Sequence, residues 1–353
     1  MRISGLLAGR VDYPRAIHIY RVTLPLSYIN KEKKHQAGWT DSINSLFNLT
    51  KEQMKFLSTS DIIVLGRPVT KDYRAAYKYI QTLKEYGARV VYETDDDLTE
   101  TYRDISNGKE ASSIPYLPYV DAITVTTQPL ADRLAQYTDR PIYVVNNYLE
   151  QSFFRKVSMS HKRINTGTTN IMLLGTMSHS TDWELAYLAI SKILDEYPQS
   201  KLIMGGYKPE YVKREEQMGF IPYQAYLKYP TMLAEADIVV AAIDPEDKFN
   251  HCKSAVKAME AWAAAREVGN TIGGAAVVAT NSIVYNPVVT NMRNGILVNH
   301  TVDDYYNGIK FLLDNTQDRE AMQRRGFLDG VKNHSMATGY TKWLSIYKRI
   351  LRS

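Results

Sequence analysis

Asp61-Ile62-Ile63-Val64-Leu65 is a short, nearly uninterrupted apolar run, and the change of periodicity after it decides the fold. Between Lys71 and Tyr86, the residues Ala76, Tyr79, Ile80 and Leu83 fall at i, i+3, i+4 and i+7, which is one face of a helix. Gly87 stands where a helix end needs a residue free of Cβ strain. A second apolar run, Arg89-Val90-Val91-Tyr92-Glu93-Thr94, comes directly after it. Strand, helix, strand, with strands apolar on both faces, means a parallel sheet covered by helices above and below.

The alternation continues outward from there. Asp121 to Thr126 reads as a strand, Pro129 to Leu134 as the start of a helix, and Ile142 to Val145 as a strand. Between Gln151 and Asn170 the pattern lapses into polar residues (Lys156 to Arg163) and the loop composition of Thr166-Gly167-Thr168-Thr169, which we read as a linker. It restarts with the strand Asn170 to Leu174, ending at Gly175. Thr181-Asp182-Trp183-Glu184 has the spacing of a capping box, opening a helix through Leu185, Leu188, Ala189 and Ile193. Strands are expected at Lys201–Met204, Asp237–Ile243, Ala275–Ala279 and Gly295–Val298, with a helix from Lys253 to Ala265 and helical sequence to the end. The expected class is α/β, with two Rossmann-like domains facing across a cleft. The first spans 1–157 and the second 158–337, with the terminal helix 338–353 packing back on the first.

Of the 353 residues, 44% are hydrophobic and 23% charged, an ordinary globular balance that excludes intrinsic disorder and leaves room for two cores. The single cysteine, Cys252, excludes a disulfide framework within the chain and fits a reducing, cytoplasmic setting. The opening Met1-Arg2-Ile3-Ser4-Gly5 leads into too short an apolar run for a secretory leader, and no stretch reaches the ~20 apolar residues of a membrane span. The formal charge of +5 suits phosphorylated ligands, nucleic acid or peripheral contact with an anionic membrane; it is matched equally by a surface with a few extra lysines.

The most informative stretch chemically is Asp244-Pro245-Glu246-Asp247-Lys248-Phe249-Asn250-His251-Cys252-Lys253-Ser254-Ala255-Val256-Lys257-Ala258-Met259-Glu260. It comes after a strand and turns into a helix. On that helix Lys253, Lys257 and Glu260 would form one polar stripe. The helix N-terminus offers free N–H groups to a phosphate, and Lys253 and Ser254 in its first turn would add charge and a hydroxyl. Glu260, further along, has two acceptor oxygens suited to ribose hydroxyls. The alternative is a surface helix carrying a Lys–Glu pair. A second cluster, Asp95-Asp96-Asp97, ends a strand. Three adjacent carboxylates repel one another and need a cation, a hydroxyl-rich ligand or water. Hydroxyl binding, a divalent ion held by Asp95 and Asp97 with a diphosphate, and an exposed acidic helix cap are the three readings, the first being preferred over the metal.

The Asp244–Glu260 segment resembles the nucleotide-sugar signature of glycosyltransferase family four, a retaining group with the GT-B fold. Phe249-Asn250, Lys253-Ser254, Lys257 and Glu260 match the order F-N-x-x-K-S-x-x-K-x-x-E of one of its subgroups. Four further segments are similar in the same order: Arg21-Val22-Thr23-Leu24-Pro25, Tyr92-Glu93-Thr94-Asp95-Asp96-Asp97-Leu98, Gly175-Thr176-Met177-Ser178-His179-Ser180-Thr181-Asp182 and Asn294-Gly295-Ile296-Leu297-Val298. The resemblance implies that Glu260 holds the ribose. It implies that Lys253 and Ser254 contact the diphosphate, that Gly175 and Thr176 let the backbone approach it, and that His179 touches phosphate or sugar, though it is equally a solvated loop histidine. It places the base near Phe220-Ile221-Pro222-Tyr223, a loop after a strand. The family's first glutamate falls at Cys252, so the chain departs from the pattern there; Asn250 or amides near His251 would take its place.

The resemblance therefore implies an enzyme moving a hexose from a UDP- or GDP-sugar to an acceptor hydroxyl with retention. It requires no cofactor beyond the co-substrate, and a divalent metal is not favoured. The N-terminal domain would hold the acceptor, with Asp95 and Asp96 beside Lys253 and Glu260 as the catalytic set. A glycan or lipid-linked sugar is the acceptor the family implies. The layout is also similar to phage enzymes that glucosylate hydroxymethylated DNA bases. An epimerase of nucleotide sugars and a non-catalytic nucleotide-sugar-binding protein stay open as alternatives.

Overall fold

The structure, a computed structural model, describes residues 1–8, 18–42, 49–99, 102–103, 110–162 and 167–353. The chain divides into two compact units. The first comprises Met1–Tyr148, Cys252–Ser254 and Met336–Ser353, the second Leu149–His251 and Ala255–Ser335.

The first unit is built on a six-stranded parallel sheet. Its strands are β1 (Arg2–Ala8), β2 (Gln36–Ser42), β3 (Ile62–Gly66), β4 (Arg89–Thr94), β7 (Ala122–Val125) and β8 (Ile142–Val144). Between β4 and β7 lie two short antiparallel strands, β5 (Tyr102–Arg103) and β6 (Glu110–Ala111). The sheet order is β2-β1-β3-β4-β7-β8. Strands β3 and β7 are buried along their whole length, as continuous apolar runs require of a sheet covered on both faces. The helix Tyr73–Lys84 carries Ala76, Ile80 and Leu83 into one apolar cluster, and Gly87 takes a φ of +80° three residues past its end. The other face packs Val22, Leu26 and Ile29 together with Trp343, Leu344 and Tyr347 from the C-terminal helix Met336–Ile350.

Strands β1 and β2 have no counterpart in the sequence reading. In β1 the alternation is broken by Ser4 and Gly5, and both have local reasons. Ser4 hydrogen-bonds Ser60 at 2.5 Å, and a Cβ on Gly5 would sit 2.5 Å from Val22. The helix Leu24–Lys31 can lie close to the sheet only over a residue without a side chain. It is entered by a π-helical turn, Ile19–Thr23.

The second unit repeats the plan. Its strands are β9 (Thr169–Leu174), β10 (Ser200–Gly206), β11 (Met218–Pro222), β12 (Ile238–Ala241), β15 (Ala276–Thr280) and β16 (Ile296–Val298), with the hairpin β13 (Arg266–Val268) and β14 (Thr271–Gly273) beside them. The order β11-β10-β9-β12-β15-β16 is, in chain order, 3-2-1-4-5-6: the doubly wound Rossmann arrangement. Its crossover helix Glu184–Glu196 buries Ala186, Ala189, Ile190 and Ile193 against the sheet.

Three local readings are corrected. The polar stretch read as a linker forms a helix over Gln151–Ser160, in which Phe154 is buried and Ser158 donates to the Ala265 carbonyl at 2.8 Å; residues 163–166 of that stretch lie outside the described residues. Phe220, Ile221 and Pro222 are not a loop but the end of β11, an edge strand that tolerates proline. Thr181 and Glu184 do not form a capping box. The helix begins at Glu184 with Trp183 at its N-cap and no side-chain cap, because the preceding turn is held from Asp182 instead.

Gly326, on the helix Thr316–Asn333, lies against the fully buried Trp262, and a Cβ there would come within 2.4 Å of the indole. Gly326→Ala should lower stability by about 1–3 kcal/mol through overpacking, although alanine is the better helix former by ~1 kcal/mol. The exposed neighbour substitution Arg325→Ala should leave it unchanged. Thermal unfolding of the two variants checks this, each kcal/mol being worth roughly 2–4 °C.

Candidate functional site

In a doubly wound sheet the strand order reverses at one point, and loops leaving the carboxyl ends of the strands on either side diverge to leave a crevice. In the second unit that point lies between β9 and β12. The loop after β9 opens with Gly175, whose φ of +151° and position both exclude a side chain. A Cβ there would lie 2.8 Å from His179, 3.0 Å from Trp183 and 3.2 Å from the Lys257 ammonium. Gly206, at the end of β10, is equally tight: its Cβ would meet the Gly175 carbonyl at 2.4 Å. The backbone at Gly175 is thus packed under a histidine, an indole and a lysine.

The loop continues into a single 3-10 turn, Met177–His179. The His179 ring stacks on Trp183, with centroids 6.1 Å apart and planes at 15°, and its Nδ1 lies 3.0 Å from Asp182 Oδ2. The other oxygen of Asp182 accepts from Asn250 Nδ2 at 2.7 Å and from the Asp244 amide at 3.0 Å. One buried carboxylate therefore ties the loop after β9 to the loop after β12. Asn250, 1% exposed, also donates to the Asp244 carbonyl at 3.0 Å, so both amide hydrogens are used. Its Oδ1 is buried and accepts from no described residue. Sequence reasoning missed Asp182 as a site residue because Thr181 and Glu184 look like a helix cap. The available signal was the i, i+3 spacing of His179 and Asp182, which puts the two side chains together in a turn.

The helix after β12 starts later than expected. It spans Val256–Ala263 and is preceded by a short helix, Lys248–His251. Lys253 and Ser254 are therefore not in its first turn: Cys252 lies in a turn, Lys253 and Ser254 belong to no helix or strand, and Cys252–Ser254 groups with the first unit. The polar stripe is reduced to Lys257 and Glu260. Glu260 is 5% exposed and accepts the Tyr229 hydroxyl at 2.8 Å. Burial, and then this carboxylate, raises the Tyr229 hydroxyl well above its ordinary value, so it stays a hydrogen-bond donor. Lys257 lies over the Trp183 ring at 5.8 Å. Thr176 pairs with Ser178 at 3.0 Å, and Tyr223, just beyond β11, is exposed. The second unit thus gathers Gly175, His179, Asn250, Lys257 and Glu260, with Asp182, Trp183 and Tyr229 as further members.

Within the first unit, Cys252 is 4% exposed in an apolar cluster with Ile123, Leu130 and Leu134, and its carbonyl accepts from Thr127 at 3.0 Å. Burial, with Asp97 nearby, pushes its thiol up to about 12. A glutamate here would be a buried charge beside a carboxylate, which accounts physically for a small neutral side chain at this position.

Arginines supply the cation that the acidic triplet needs. Arg67 pairs with Asp95 at 2.9 Å and with Asp96 at 3.4 Å, while Arg133 pairs with Asp97 at 3.0 Å. Asp97 also accepts from the Thr99 amide and hydroxyl. The triplet comes after β4 without opening a helix, so it is not a helix cap. Burial, and then Asp96, pushes the Asp95 carboxyl up to about 7. Arg67 itself holds a φ of +56°, an uncommon conformation for a side-chain-bearing residue. Neither arginine was singled out by sequence, because their pairing depends on which strand ends lie side by side.

Below the triplet is a fully buried ion pair. Arg21, in the π-helical turn, donates from Nε to Glu93 at 2.6 Å and from Nη1 to the Val145 carbonyl and to Asn147 Oδ1, the latter at 3.2 Å. Glu93 also accepts from the Thr124 hydroxyl. The Trp343 ring covers the guanidinium at 4.5 Å. Burial drives the Glu93 carboxyl up to about 7, opposed by Arg21.

No family model matches the chain, and no curated protein matches it by sequence. Solved structures do match, over its full length. The Anabaena protein Alr3699/HepE, solved with UDP and glucose, is 13% identical and superposes with a TM-score of 0.65, covering 98% of this chain and 99% of its own. A glycosyltransferase from Rickettsia africae ESF-5 is 13% identical, with a TM-score of 0.65 over 100% and 99%. Sucrose-phosphate synthase from Thermosynechococcus elongatus is 10% identical, with a TM-score of 0.64 over the whole of both chains. These similarities show the fold: two Rossmann-like domains of the GT-B type.

The raised carboxyls of Asp95 and Glu93 predict a pH dependence of stability. A group whose folded pKa exceeds its unfolded value contributes stability that is complete below the unfolded value and is lost as pH rises through the folded one. The melting temperature should therefore fall from about pH 4, near the unfolded values, to about pH 7, near the folded ones. Asp95→Asn should flatten that slope but not abolish it, since Glu93 remains. Melting curves of both proteins across this range check the prediction, and an unchanged slope in Asp95→Asn refutes it.

Proposed function

We propose that the chain is a glycosyltransferase that moves a hexose from a UDP- or GDP-sugar to an acceptor hydroxyl, with retention at the anomeric carbon. The observation that carries this reading is the construction at the reversal point of the second sheet. There a glycine with no room for a side chain is packed beneath His179, Trp183 and Lys257, and the buried Glu260 stands on the helix after β12. Lysine supplies positive charge for a diphosphate, and a carboxylate suits a pair of ribose hydroxyls. The similarity along the whole chain to a protein solved with UDP and glucose supports it.

Each side chain of the site has its part in the transfer. Glu260, oriented by the Tyr229 hydroxyl, holds the ribose. Gly175 and Thr176 face the diphosphate, whose growing negative charge in an oxocarbenium-like transition state is stabilised by Lys253, Lys257 and the Ser254 hydroxyl. The buried Oδ1 of Asn250, which accepts from no described residue, would take a hydroxyl of the sugar in place of a glutamate at Cys252. His179 lies by the phosphates or the sugar, fixed by Asp182 and Trp183. Tyr223 lies by the base. Asp95 and Asp96, held by Arg67, contact the acceptor, which we take to be a glycan or lipid-linked sugar.

The test is direct. Purified protein incubated with UDP- and GDP-sugars should release nucleoside diphosphate and add hexose mass to one of a panel of glycan, lipid-linked sugar and hydroxymethylated-DNA acceptors. Glu260→Gln and Lys253→Ala should each lower kcat/KM by at least about 100-fold, the scale of one transition-state contact, while melting normally. Wild-type turnover in both variants, or no nucleotide-sugar consumption by the parent protein, would overturn the assignment. Addition of hexose to DNA alone would move the acceptor to the nucleic-acid class.

A further inference from the structure

The buried ion pair of the first unit ends on Ser254. Arg21 cannot accept a hydrogen bond, so the side-chain atom of Asn147 that faces it at 3.2 Å must be the carbonyl oxygen. That fixes the amide: its NH₂ group is the end turned to Ser254, and Nδ2 donates to the Ser254 Oγ at 2.9 Å. The serine oxygen is thereby made an acceptor, and its own hydrogen is directed away from Asn147. The chain of constraints runs from Glu93 to Arg21 at 2.6 Å, from Arg21 to Asn147, and from Asn147 to Ser254. Arg21 is 0% exposed, Glu93 1% and Asn147 3%, so water does not compete for these bonds. The guanidinium is clamped further by the Val145 carbonyl and the face of Trp343. Arg21 sits in a π-helical turn, and such a turn re-aims one side chain at the expense of regular bonding and recurs at functional sites.

We infer that Arg21 and Asn147 form a positioning relay that sets the Ser254 hydroxyl as a hydrogen-bond donor to the diphosphate of the nucleotide sugar. The inference rests on the proposed function above. It adds two residues that do not touch the ligand and gives the direction of the proton on one that does. A hydroxyl already accepting a bond from an amide is polarised toward donation, and a donor pointed at an anion is worth more than one free to rotate. Ser254 stands two residues before the helix Val256–Ala263.

The experiment measures affinity for UDP and GDP against affinity for UMP and GMP, which lack the terminal phosphate, by titration calorimetry. Ser254→Ala and Asn147→Ala should each weaken the diphosphate by about tenfold, the scale of one hydrogen bond to a charged group, and leave the monophosphate within about twofold. The double variant should lose no more than Ser254→Ala alone. Asn147→Asp, which keeps the volume but offers Ser254 an acceptor, should turn the hydroxyl inward and lose the same preference; a purely structural role would not move this ratio. Equal losses for both nucleotides, or additive losses in the double variant, overturn the relay. So does an unchanged ratio in Ser254→Ala, which leaves the buried groups in place and decides the matter even if the Asn147 variants fail to fold. If the parent protein binds neither UDP nor GDP, the nucleotide-sugar reading itself falls, an outcome distinct from normal binding with an unchanged ratio.

Discussion

The candidate site of the second unit is held by one carboxylate. Asp182 is buried, and its bonds go to elements that bear on the site: the His179 ring on one oxygen, the Asn250 amide and the Asp244 N–H on the other. Parallel strands deliver their loops to the same edge of a sheet but do not fix how those loops meet. Here the meeting of the loops after β9 and β12 depends on a buried charge-assisted set of hydrogen bonds, roughly twice the strength of neutral ones. Because Asp182 takes the turn for this purpose, the next helix starts without a side-chain cap, and Trp183 is placed flat against His179. The close approach at Gly175 is the complement of this arrangement, since the histidine, the indole and Lys257 occupy the space a side chain would need.

The first unit shows a different solution to the same problem of buried charge. A lone carboxylate or guanidinium in a sheet interior is costly, and even a pair is held only when the remaining lone pairs and protons are satisfied. Glu93 meets that condition with Arg21 and Thr124, and Arg21 meets it at Nε and Nη1 through Glu93, the Val145 carbonyl and Asn147, while its buried Nη2 donates to no described residue. Above it, three carboxylates in sequence are tolerated because Arg67 and Arg133 approach from the end of β3 and from the helix Gln128–Leu134. The cations these acids require are thus side chains of the protein. Their contribution to function would come through orientation of Asp95 and Asp96.

Cys252 illustrates how a departure from a sequence pattern acquires a physical meaning. At the sequence level it is only a missing glutamate. In the structure it lies in an apolar cluster where burial, and then the charge of Asp97, raise its thiol, a place where a thiol stays neutral and a glutamate would not be supported. Two residues later, Ser254 leaves that cluster to meet Asn147. The segment is not helical where periodicity suggested a helix, and Cys252 and Ser254 are engaged by the first unit.

Most of the fold was legible in the residues themselves. Continuous apolar runs such as Ile62–Leu65 and Ile238–Ala241, separated by helices of period 3.6, leave no arrangement but covered parallel sheets, and hydrophobic burial acts on that pattern whatever the remote contacts. The glycine after β9 and the lysine and glutamate of the helix after β12 were visible for the same local reason. Strand β1 was not, since Ser4 and Gly5 make sense only beside Ser60 and Val22. Nor were the pairings of Asp182, Arg67, Arg21 and Asn147, whose partners lie 3, 28, 72 and 107 residues away, although Arg21 and Asp182 stood in segments that carried the resemblance. Periodicity reports which face of an element is apolar. Which polar groups meet across strands and loops depends on strand order and on the desolvation that burial imposes, and these exist only once the chain has folded.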